Sequence, residues 1–367
     1  MFDDNALMLM CKSYFRKGEQ FDHCQSCNVE HETVDQLLDR ISFGNPIYRA
    51  ILERKDFLPN SPTIFNAGTL SGTLSACFKL DVRDSMLDEF DDQGHIVPTG
   101  SIMDVAYKAA AIQKWGGGVG YYLGNIRATG AKISSTHGKA CGPVAIMRHY
   151  QSIALLITQG GKRAGAQMAI LPCDHPDIEE FIHCKDDEEK AATLDTFNIS
   201  VSYTDPFMTK VVTDPDSPEH KLLRAAVKAA WTTGCPGCYF IDTAERSNPT
   251  PWLGRLTGTN PCGEVPLLDN EPCNLGSINL TNFVNDENRP DLIRLAEITR
   301  IAIQYLDDIL DHNTFPHPDI TKAALLTRKL GLGVMGWADM LSMMGVHYDS
   351  DEAISLAEII MSTINEA

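Results

Sequence analysis

The chain has 367 residues, of which 43% are hydrophobic and 22% charged, as in an ordinary globular protein large enough for two parts or one large α/β body. Its net charge of −18 argues against direct binding to nucleic acid or to an anionic membrane, although a few cations and backbone amides can still hold a small phosphate ligand. No apolar run approaches the ~20 residues that span a bilayer, and the N-terminus lacks the basic region of a secretory signal, so we expect a cytoplasmic protein.

Residues 1–57 are predicted to form a small helical region. Between Val34 and Ile51 the apolar residues recur near the 3.6-residue period of a helix, and the stretch LPNSPT then breaks this pattern with two prolines. We therefore place a boundary near residue 57 and expect residues 58–367 to form the main body of the protein.

Beyond this boundary, short β-like runs alternate with helices, which predicts a largely parallel sheet or barrel of the α/β class. Gly116, Gly117 and Gly118 are expected to form a tight turn rather than a phosphate cradle. Strands are predicted at SACFKLDV, GVGYYLGNI, MAILP, FNISVSY and CYFID, and helices at SIMDVAYKAAAIQKW, GPVAIMRHYQSIALLITQ, HPDIEEFIHCK, HKLLRAAVKAAWTTG, PDLIRLAEITRIAIQYLDDILDHN and DEAISLAEIIMSTINEA.

The eleven cysteines include two close pairs, Cys24/Cys27 and Cys235/Cys238. Four thiols from two such pairs could hold zinc, but the pairs lie far apart in the chain, so we expect small buried or half-buried thiols and assign no metal ligands. The number of cysteines is odd and no secretion signal accompanies them, which argues against a structural disulfide framework. A separate stretch, DEFDDQGHIVPTG (88–100), is predicted to be an ordered or half-ordered surface loop.

The segment NPCGEVPLLDNEPC (260–273) carries the clearest chemical signal. Asn260, Cys262 and Glu264 occupy alternate positions, and in an extended segment alternate side chains point to one face. Nucleophilic catalysis by Cys262 would need a histidine as base, and the segment 221–311 contains none. Glu264 can instead serve as a base towards a substrate hydroxyl, and two further thiols can supply two electrons by forming a disulfide, which together suggest a radical reductase.

NPCGE followed by CNLGSINL closely resembles the catalytic finger loop of the large subunit of ribonucleotide reductases, and the NPCGE variant is most similar to the adenosylcobalamin-dependent class. The resemblance extends from about residue 30 to the end of the chain, which corresponds to the N-terminal portion of the family's catalytic chain. The other matching segments, in the family's order, are SPTIFNAGTLSGTLSACF, KWGGGVGYYLGNIRATGAKISST, TQGGKRAGAQMAILPCDHPDIEEFI, FNISVS and GLGVMGWADML.

The resemblance implies a role for each residue of the finger loop, which we place at about 258–276. Cys262 matches the thiyl-radical cysteine that takes the 3′ hydrogen of the ribonucleotide, and Asn260 and Glu264 match residues at the ribose hydroxyls, with Glu264 as the base. Cys77 and Cys273 match the redox pair. Ser61 and Ala76 match positions near the substrate, Ser61 being near its phosphates.

The resemblance also implies an allosteric site for deoxynucleotides or ATP. Asp84, Ser85 and Met86 match residues that bind the effector base and ribose. Arg127 and Ile133 lie in the loop expected at its phosphates. The glycine-rich loop GGKRAGAQ (160–167) matches the element that relays effector identity to the substrate base, with Lys162, Arg163 and Gln167 as its polar members.

The implied fold is the first half of a ten-stranded α/β barrel with a central finger loop, preceded by the small helical region. The expected partners are the ribonucleotide di- or triphosphate substrate, a complementing C-terminal polypeptide, a second copy bound through the effector-site helices, and a thioredoxin- or glutaredoxin-like reductant. Two alternatives stay open: a catalytically silent nucleotide-binding regulator, and a class I large subunit that needs a ferritin-like radical subunit.

Overall fold

A computed structural model of the protein describes residues 3–24, 28–69, 72–97, 99–134, 137–157 and 165–367. The predicted alternation of strands and helices beyond residue 57 is present. The strands are β1 (His23–Cys24), β2 (Val29–Glu30), β3 (Phe57–Pro59), β4 (Cys77–Asp81), β5 (Glu89–Phe90), β6 (Ile96–Val97), β7 (Gly118–Tyr122), β8 (Gln167–Pro172), β9 (Phe197–Tyr203), β10 (Gly237–Phe240), β11 (Gly258–Thr259), β12 (Pro266–Leu267), β13 (Pro272–Asn279) and β14 (Leu330–Met335).

The six helices predicted beyond residue 57 are present to within a few residues, and further helices lie in segments for which the sequence predicts none. A π-helical turn (Met10–Tyr14) and a 3-10 helix (Leu280–Phe283) accompany them. The α-helices are α1 (Asp4–Leu9), α2 (Val34–Ile41), α3 (Pro46–Glu53), α4 (Ser61–Asn66), α5 (Ile102–Lys114), α6 (Gly142–Leu156), α7 (Ile178–Ile182), α8 (Glu188–Ala192), α9 (Asp205–Thr213), α10 (Pro218–Thr233), α11 (Ile241–Arg246), α12 (Leu292–His312), α13 (Pro318–Thr327), α14 (Trp337–Met344) and α15 (Asp351–Glu366).

The chain divides into two compact units, which are described separately. The first unit comprises Met1–Ala76, Cys273–Thr314 and Arg328–Ala367. Strand β13 pairs with β14 in parallel and with β3 antiparallel. Against this sheet, α12 presents an apolar stripe. Leu295, Ile298, Tyr305 and Ile309 are buried in one hydrophobic core, and Leu310 is buried as well.

The N-terminal region is less uniformly helical than its sequence predicts. A short antiparallel pair, β1 with β2, precedes α2, and the predicted helical segment after Val34 is two helices. Helix α2 stops because Phe43 and Gly44 both adopt positive φ angles, of 53° and 75°, and Asn45 then caps α3. The first unit continues past residue 57 without a break, so the domain boundary placed there stays a prediction.

The second unit, Cys77–Pro272 with Phe315–Thr327, is built on a parallel sheet. Its strands lie in the order β10–β9–β8–β7–β4, and every neighbouring pair is parallel. Four of these strands, β4, β7, β8 and β9, are buried at nearly every residue, as expected for a parallel sheet that is covered on both faces. Cys77, Asn260, Cys262, Glu264 and the described effector candidates belong to this second unit.

The stretch 88–100 contains a small antiparallel hairpin made of β5 and β6. Phe90 within it is 68% exposed. The predicted ordered surface segment is therefore confirmed, with the addition that part of it is paired as strands.

Two predictions about the cysteines have different outcomes. Cys11 is disulfide-bonded, a single bond that the sequence does not predict, whereas the argument from sequence concerned a framework of several disulfides. The zinc alternative involves Cys27, which lies outside the described residues. Within the described ranges, no helix combines the length and the apolarity needed to cross a bilayer.

Candidate functional site

The segment that carries Asn260, Cys262 and Glu264 forms the tip of a hairpin. Strands β11 and β12 pair antiparallel, and the backbone closes through Asn260 N to Val265 O (3.3 Å) and Gly263 N to Asn260 O (3.1 Å). Gly263 adopts a φ of 83°, which suits glycine. The expectation of an extended segment with three side chains on one face is therefore wrong, because the turn buries Asn260 while Cys262 and Glu264 are exposed.

The turn nevertheless brings two of these side chains to Cys77, the first residue of β4. Asn260 Nδ2 donates to Cys77 Sγ at 3.1 Å, and the Cys77 thiol donates to Glu264 Oε1 at 3.5 Å. Asn260 is fixed from its other side, because its Oδ1 accepts from Val265 N at 3.2 Å. A thiol, an amide and a carboxylate thus converge, with the Cys262 thiol at the exposed tip of the same turn.

The hairpin lies directly on strand β7. A Cβ atom at Gly120 would lie 1.8 Å from Thr259 O, and one at Gly118 would lie 2.8 Å from Pro261 Cγ. These two glycines alternate along the strand, so they present a bare face to the hairpin. Sequence reasoning treated Gly118 as part of a turn and missed this role; the signal available was glycine at alternate positions of a predicted strand.

A buried charged cluster anchors the base of the hairpin, and sequence reasoning missed it as well. Lys79 is completely buried, and its Nζ donates to Asp81 Oδ1 and to Thr257 Oγ1, each at 2.5 Å. Asp81 N in turn donates to Asp269 Oδ1 at 2.8 Å. Desolvation of its carboxyl group by the surrounding protein and the neighbouring charge of Asp81 raise the pKa of Asp269.

The remaining catalytic and substrate candidates belong to the first unit. Cys273 is fully buried in β13, so the finger loop predicted to reach residue 276 in fact gives way to a strand at Pro272. Ser61 is the first residue of α4, and its hydroxyl lies 3.1 Å from that of Tyr14. Ala76 is buried at the end of the segment that leads to β4.

A buried polar network supports the backbone beside Ala76 and Cys273. Ser75 Oγ donates to Asn274 Oδ1 at 2.6 Å and accepts from Asn313 Nδ2 at 3.0 Å. Asn313 Oδ1 also accepts from Leu74 N at 2.8 Å, and Asn274 Nδ2 donates to Leu306 O at 3.0 Å. Such a network fixes the conformation of both segments because each buried amide has its partners.

Five of the predicted effector residues line one cavity of about 370 Å³ in the second unit. Arg127 Nε donates to Asp84 Oδ2 at 2.5 Å across it. Cys141 and Gly142, at the N-terminus of the 15-residue helix α6, also line the cavity, so the positive end of that helix dipole faces it. The predicted residues are Asp84, Ser85, Met86, Arg127 and Ile133, and the lining that sequence reasoning missed is Ile102, Ile126, Ala140, Cys141, Gly142 and Ile146.

The predicted relay loop is described only in part. Lys162 and Arg163 lie outside the described residues. Gln167 is the first residue of β8 and fully buried, where its amide accepts from Tyr121 OH at 2.8 Å and donates to Thr196 Oγ1 at 2.7 Å. The side chain of Gln167 is therefore held inside the second unit.

The sequence of this chain matches a known protein family. The family described as "Ribonucleotide reductase, barrel domain" matches residues 75–218 and 216–367. The chain belongs to this family. The predicted fold, an α/β chain that forms the first part of the family's barrel, is confirmed.

Relatives and a solved structure agree with this assignment. The "Vitamin B12-dependent ribonucleoside-diphosphate reductase" of Mycobacterium tuberculosis is 42% identical over 334 residues, covering 87% of this chain and 46% of the relative. A protein of the same name from Thermoplasma acidophilum is 41% identical, covering 94% of this chain and 46% of the relative. The Actinobacillus ureae class Id ribonucleotide reductase alpha subunit shares the fold, with a TM-score of 0.78 and 20% identity over 99% of this chain and 65% of that chain. The chain spans less than half the length of the two vitamin B12-dependent relatives.

Proposed function

We propose that this chain is the radical-bearing part of a ribonucleotide reductase that converts ribonucleoside diphosphates to deoxyribonucleotides. The observation that carries the proposal is the convergence of Cys77, Asn260 and Glu264 at the turn that bears Cys262. A thiol, a hydrogen-bonding amide and a base within one turn are the groups that a ribose needs for radical reduction. The names of the relatives favour the diphosphate over the triphosphate as substrate.

The first step takes place at the 3′ carbon of the ribose. Cys262, as a thiyl radical, takes the 3′ hydrogen atom, so an S–H bond forms as the C–H bond breaks. Glu264 accepts the proton of the 3′ hydroxyl, and Asn260 donates a hydrogen bond to the ribose oxygens. Removal of the hydrogen atom from C3′ and of the proton from the 3′ hydroxyl weakens the neighbouring C2′–O bond.

The second step removes the 2′ hydroxyl. It leaves as water with the proton of one thiol of the pair Cys77 and Cys273. The other proton and the two electrons released as the two sulfurs join in a disulfide form the new C2′–H bond. Cys262 then returns its hydrogen atom to C3′, and Glu264 returns its proton to the 3′ oxygen. The sum is a ribonucleotide and two thiols giving a deoxyribonucleotide, a disulfide and water.

We infer that adenosylcobalamin is the radical source. When bound, it supplies a carbon-centred radical that can take a hydrogen atom from a thiol. The exposed position of Cys262 at the hairpin tip fits this chemistry, because a bulky cofactor can approach only a thiol that is not enclosed. The names of the relatives favour this source over a ferritin-like radical subunit.

The cavity lined by Asp84, Ser85, Met86, Arg127 and Ile133 is the proposed site for a deoxynucleotide or ATP effector. Its volume of about 370 Å³ suits part of a nucleotide, and the N-terminus of α6 with Arg127 favours a phosphate group. A silent nucleotide-binding regulator would need only this cavity. Because the chain also retains Cys77, Asn260, Cys262, Glu264 and Cys273, we favour the enzyme.

Activity is proposed to require the remainder of the barrel, because curated relatives are about twice as long as this chain. Further sequence or a separate C-terminal polypeptide would supply it. A thioredoxin- or glutaredoxin-like dithiol would reduce the Cys77–Cys273 disulfide, and two copies would associate through the helices at the effector cavity. A cytoplasmic location stays a prediction.

Release of tritium from a 3′-tritiated ribonucleoside diphosphate tests the proposal. The chain would be assayed alone and with the C-terminal part of the barrel, each with and without adenosylcobalamin. We expect release only when both are present and none from Cys262→Ser. Tight deoxynucleotide binding without release in any mixture would favour the silent regulator instead.

A further inference from the structure

An exposed asparagine interrupts the buried strand β9. Its neighbours Phe197 and Ile199 are each 1% exposed, whereas Asn198 between them reaches solvent. Asparagine is disfavoured inside strands, so its presence here calls for a specific contact. Asn198 Nδ2 donates to the carbonyl oxygen of Pro261 at 2.9 Å, and Pro261 directly precedes Cys262.

The strand register places this contact beside the glycine surface under the hairpin. Gly120 of β7 pairs with Met168 of β8, which pairs with Asn198 of β9. Residues in one row across parallel strands point to the same face, so Asn198 and Gly120 lie on one side of the sheet. Gly120 lies under Thr259 and Asn198 holds Pro261, so these two strands contact both ends of the segment 259–261.

The hairpin needs such support. Its ladder consists of two residue pairs, Gly258 with Leu267 and Thr259 with Pro266, and a hairpin this short is at best marginally stable by itself. The Gly118 and Gly120 contacts limit how far the backbone can sink towards the sheet but donate no side-chain hydrogen bond. The Asn198 amide adds a directional bond, to the carbonyl beside Cys262.

We propose that Asn198 is a positioning residue for the Cys262 thiol. By holding the Pro261 carbonyl, its amide fixes the orientation of the turn that carries Cys262 and Glu264. The role in catalysis rests on the proposed function, whereas the role in ordering the turn can be tested without it. Asn198→Asp removes the donor with little change of shape, and Asn198→Gln keeps a donor on an arm one methylene longer.

Hydrogen exchange on the 367-residue chain tests the ordering directly. The amides of Gly263 and Val265 bond to Asn260 within the turn, so their exchange reports its opening. We expect exchange about fivefold to tenfold faster in Asn198→Asp, as for the loss of one hydrogen bond, and at least half of the protection recovered in Asn198→Gln. The control is Asn248→Ala, which removes a similar amide-to-carbonyl bond to Gly254 and should leave these amides unchanged. Equal exchange in Asn198→Asp and the parent chain would overturn the proposal.

Kinetics of the whole protein distinguish positioning from direct contact with substrate. For Asn198→Asp we expect kcat to fall about tenfold or more with KM little changed, because a displaced thiol misses the 3′ hydrogen while substrate binding persists. A raised KM at unchanged kcat would make Asn198 a substrate-binding residue and overturn the positioning role. If the parent protein releases no tritium, the proposed function fails, and the exchange experiment alone decides whether Asn198 orders the turn.

Discussion

The amide of Asn260 donates a hydrogen bond to the sulfur of Cys77, a residue 183 positions earlier in the chain. This bond couples the hairpin turn to the first residue of β4, and Glu264 contacts the same sulfur from the other end of the turn. Any movement of the turn therefore changes the surroundings of the Cys77 thiol and of the Cys262 thiol together. The radical and redox roles proposed for these two cysteines depend on one local structure.

Cys77→Ser should separate these two roles in the whole protein. Without the Cys77 thiol the redox pair cannot close, so we expect deoxyribonucleotide formation to fall by more than a hundredfold. Cys262 remains able to take the 3′ hydrogen, so tritium release should persist. Both would be measured in the same reaction, with Cys238→Ser, an exposed thiol with no assigned role, as the control. Loss of tritium release together with product would contradict separate roles.

The sequence predicts the strands and helices that support this site better than it predicts the geometry of the site itself. Apolar runs predict β4, β8 and β9, and the long periodic segment 290–313 predicts α12, because local periodicity determines these features. The turn at Asn260–Val265 was predicted as extended, because alternation of residue types does not report a positive φ at Gly263. Only the resemblance to ribonucleotide reductases indicated that Cys77 acts together with cysteines of the finger loop.

Features that depend on contacts distant in sequence were not predictable from local pattern. Lys79 lies in an apolar run and gives no local sign that its partner is Thr257. The sequence predicts Gln167 to lie in a loop, whereas the pairing of β8 with its neighbours places it inside the sheet. Gly120 and Asn198 acquire their roles only when the hairpin crosses β7 and β9.

Gly120→Ala should displace the hairpin. The new Cβ would lie 1.8 Å from the backbone oxygen of Thr259, and backbone cannot move aside as a flexible side chain can. We expect a loss of about 2–3 kcal/mol in the free energy of unfolding, measured by urea titration, together with lost protection of the hairpin amides. Gly333→Ala is the control, because its nearest neighbour would be Ser277 Oγ at 3.7 Å. Equal effects of the two substitutions would show that the close approach is not a constraint.

Lys79→Met should destabilise the base of the hairpin. The substitution retains the aliphatic stem but leaves Asp81 and Thr257 without the ammonium group that they share. Removal of one partner of a buried pair costs about 3–5 kcal/mol, and the lower end applies because Asp81 is 25% exposed. Lys190→Met, which breaks an exposed pair with Asp187, should leave the free energy of unfolding nearly unchanged. A loss below about 1 kcal/mol for Lys79→Met would rule out a structural role for this pair.

Arg127→Met should weaken effector binding to the cavity. The substitution removes the cation that pairs with Asp84 and leaves that carboxylate facing any incoming phosphate. Titration calorimetry with deoxynucleoside triphosphates should show affinity reduced by about tenfold or more. Arg255→Met breaks a comparable ion pair with Asp242 outside the cavity and serves as the control. Unchanged affinity in Arg127→Met would place the nucleotide elsewhere.

His317 should make the second unit less stable in mild acid. Burial and the nearby Lys108 ammonium lower the pKa of His317 from 6.5, against the opposing charges of Asp319 and Asp104. Between the lowered pKa and 6.5 the unfolded chain binds more protons than the folded one, so stability is present above this window and is lost as the pH falls through it. His317 Nδ1 accepts from Asp319 N at 3.2 Å, a bond that the side-chain oxygen of asparagine can replace at this position. His317→Asn should therefore lose less stability than the parent chain between about pH 7.5 and pH 5. The free energy of unfolding would be measured by denaturant titration at each pH. The control is His347→Asn, at an exposed site, which should follow the parent. A parallel decline in all three proteins would assign the acid sensitivity to other groups.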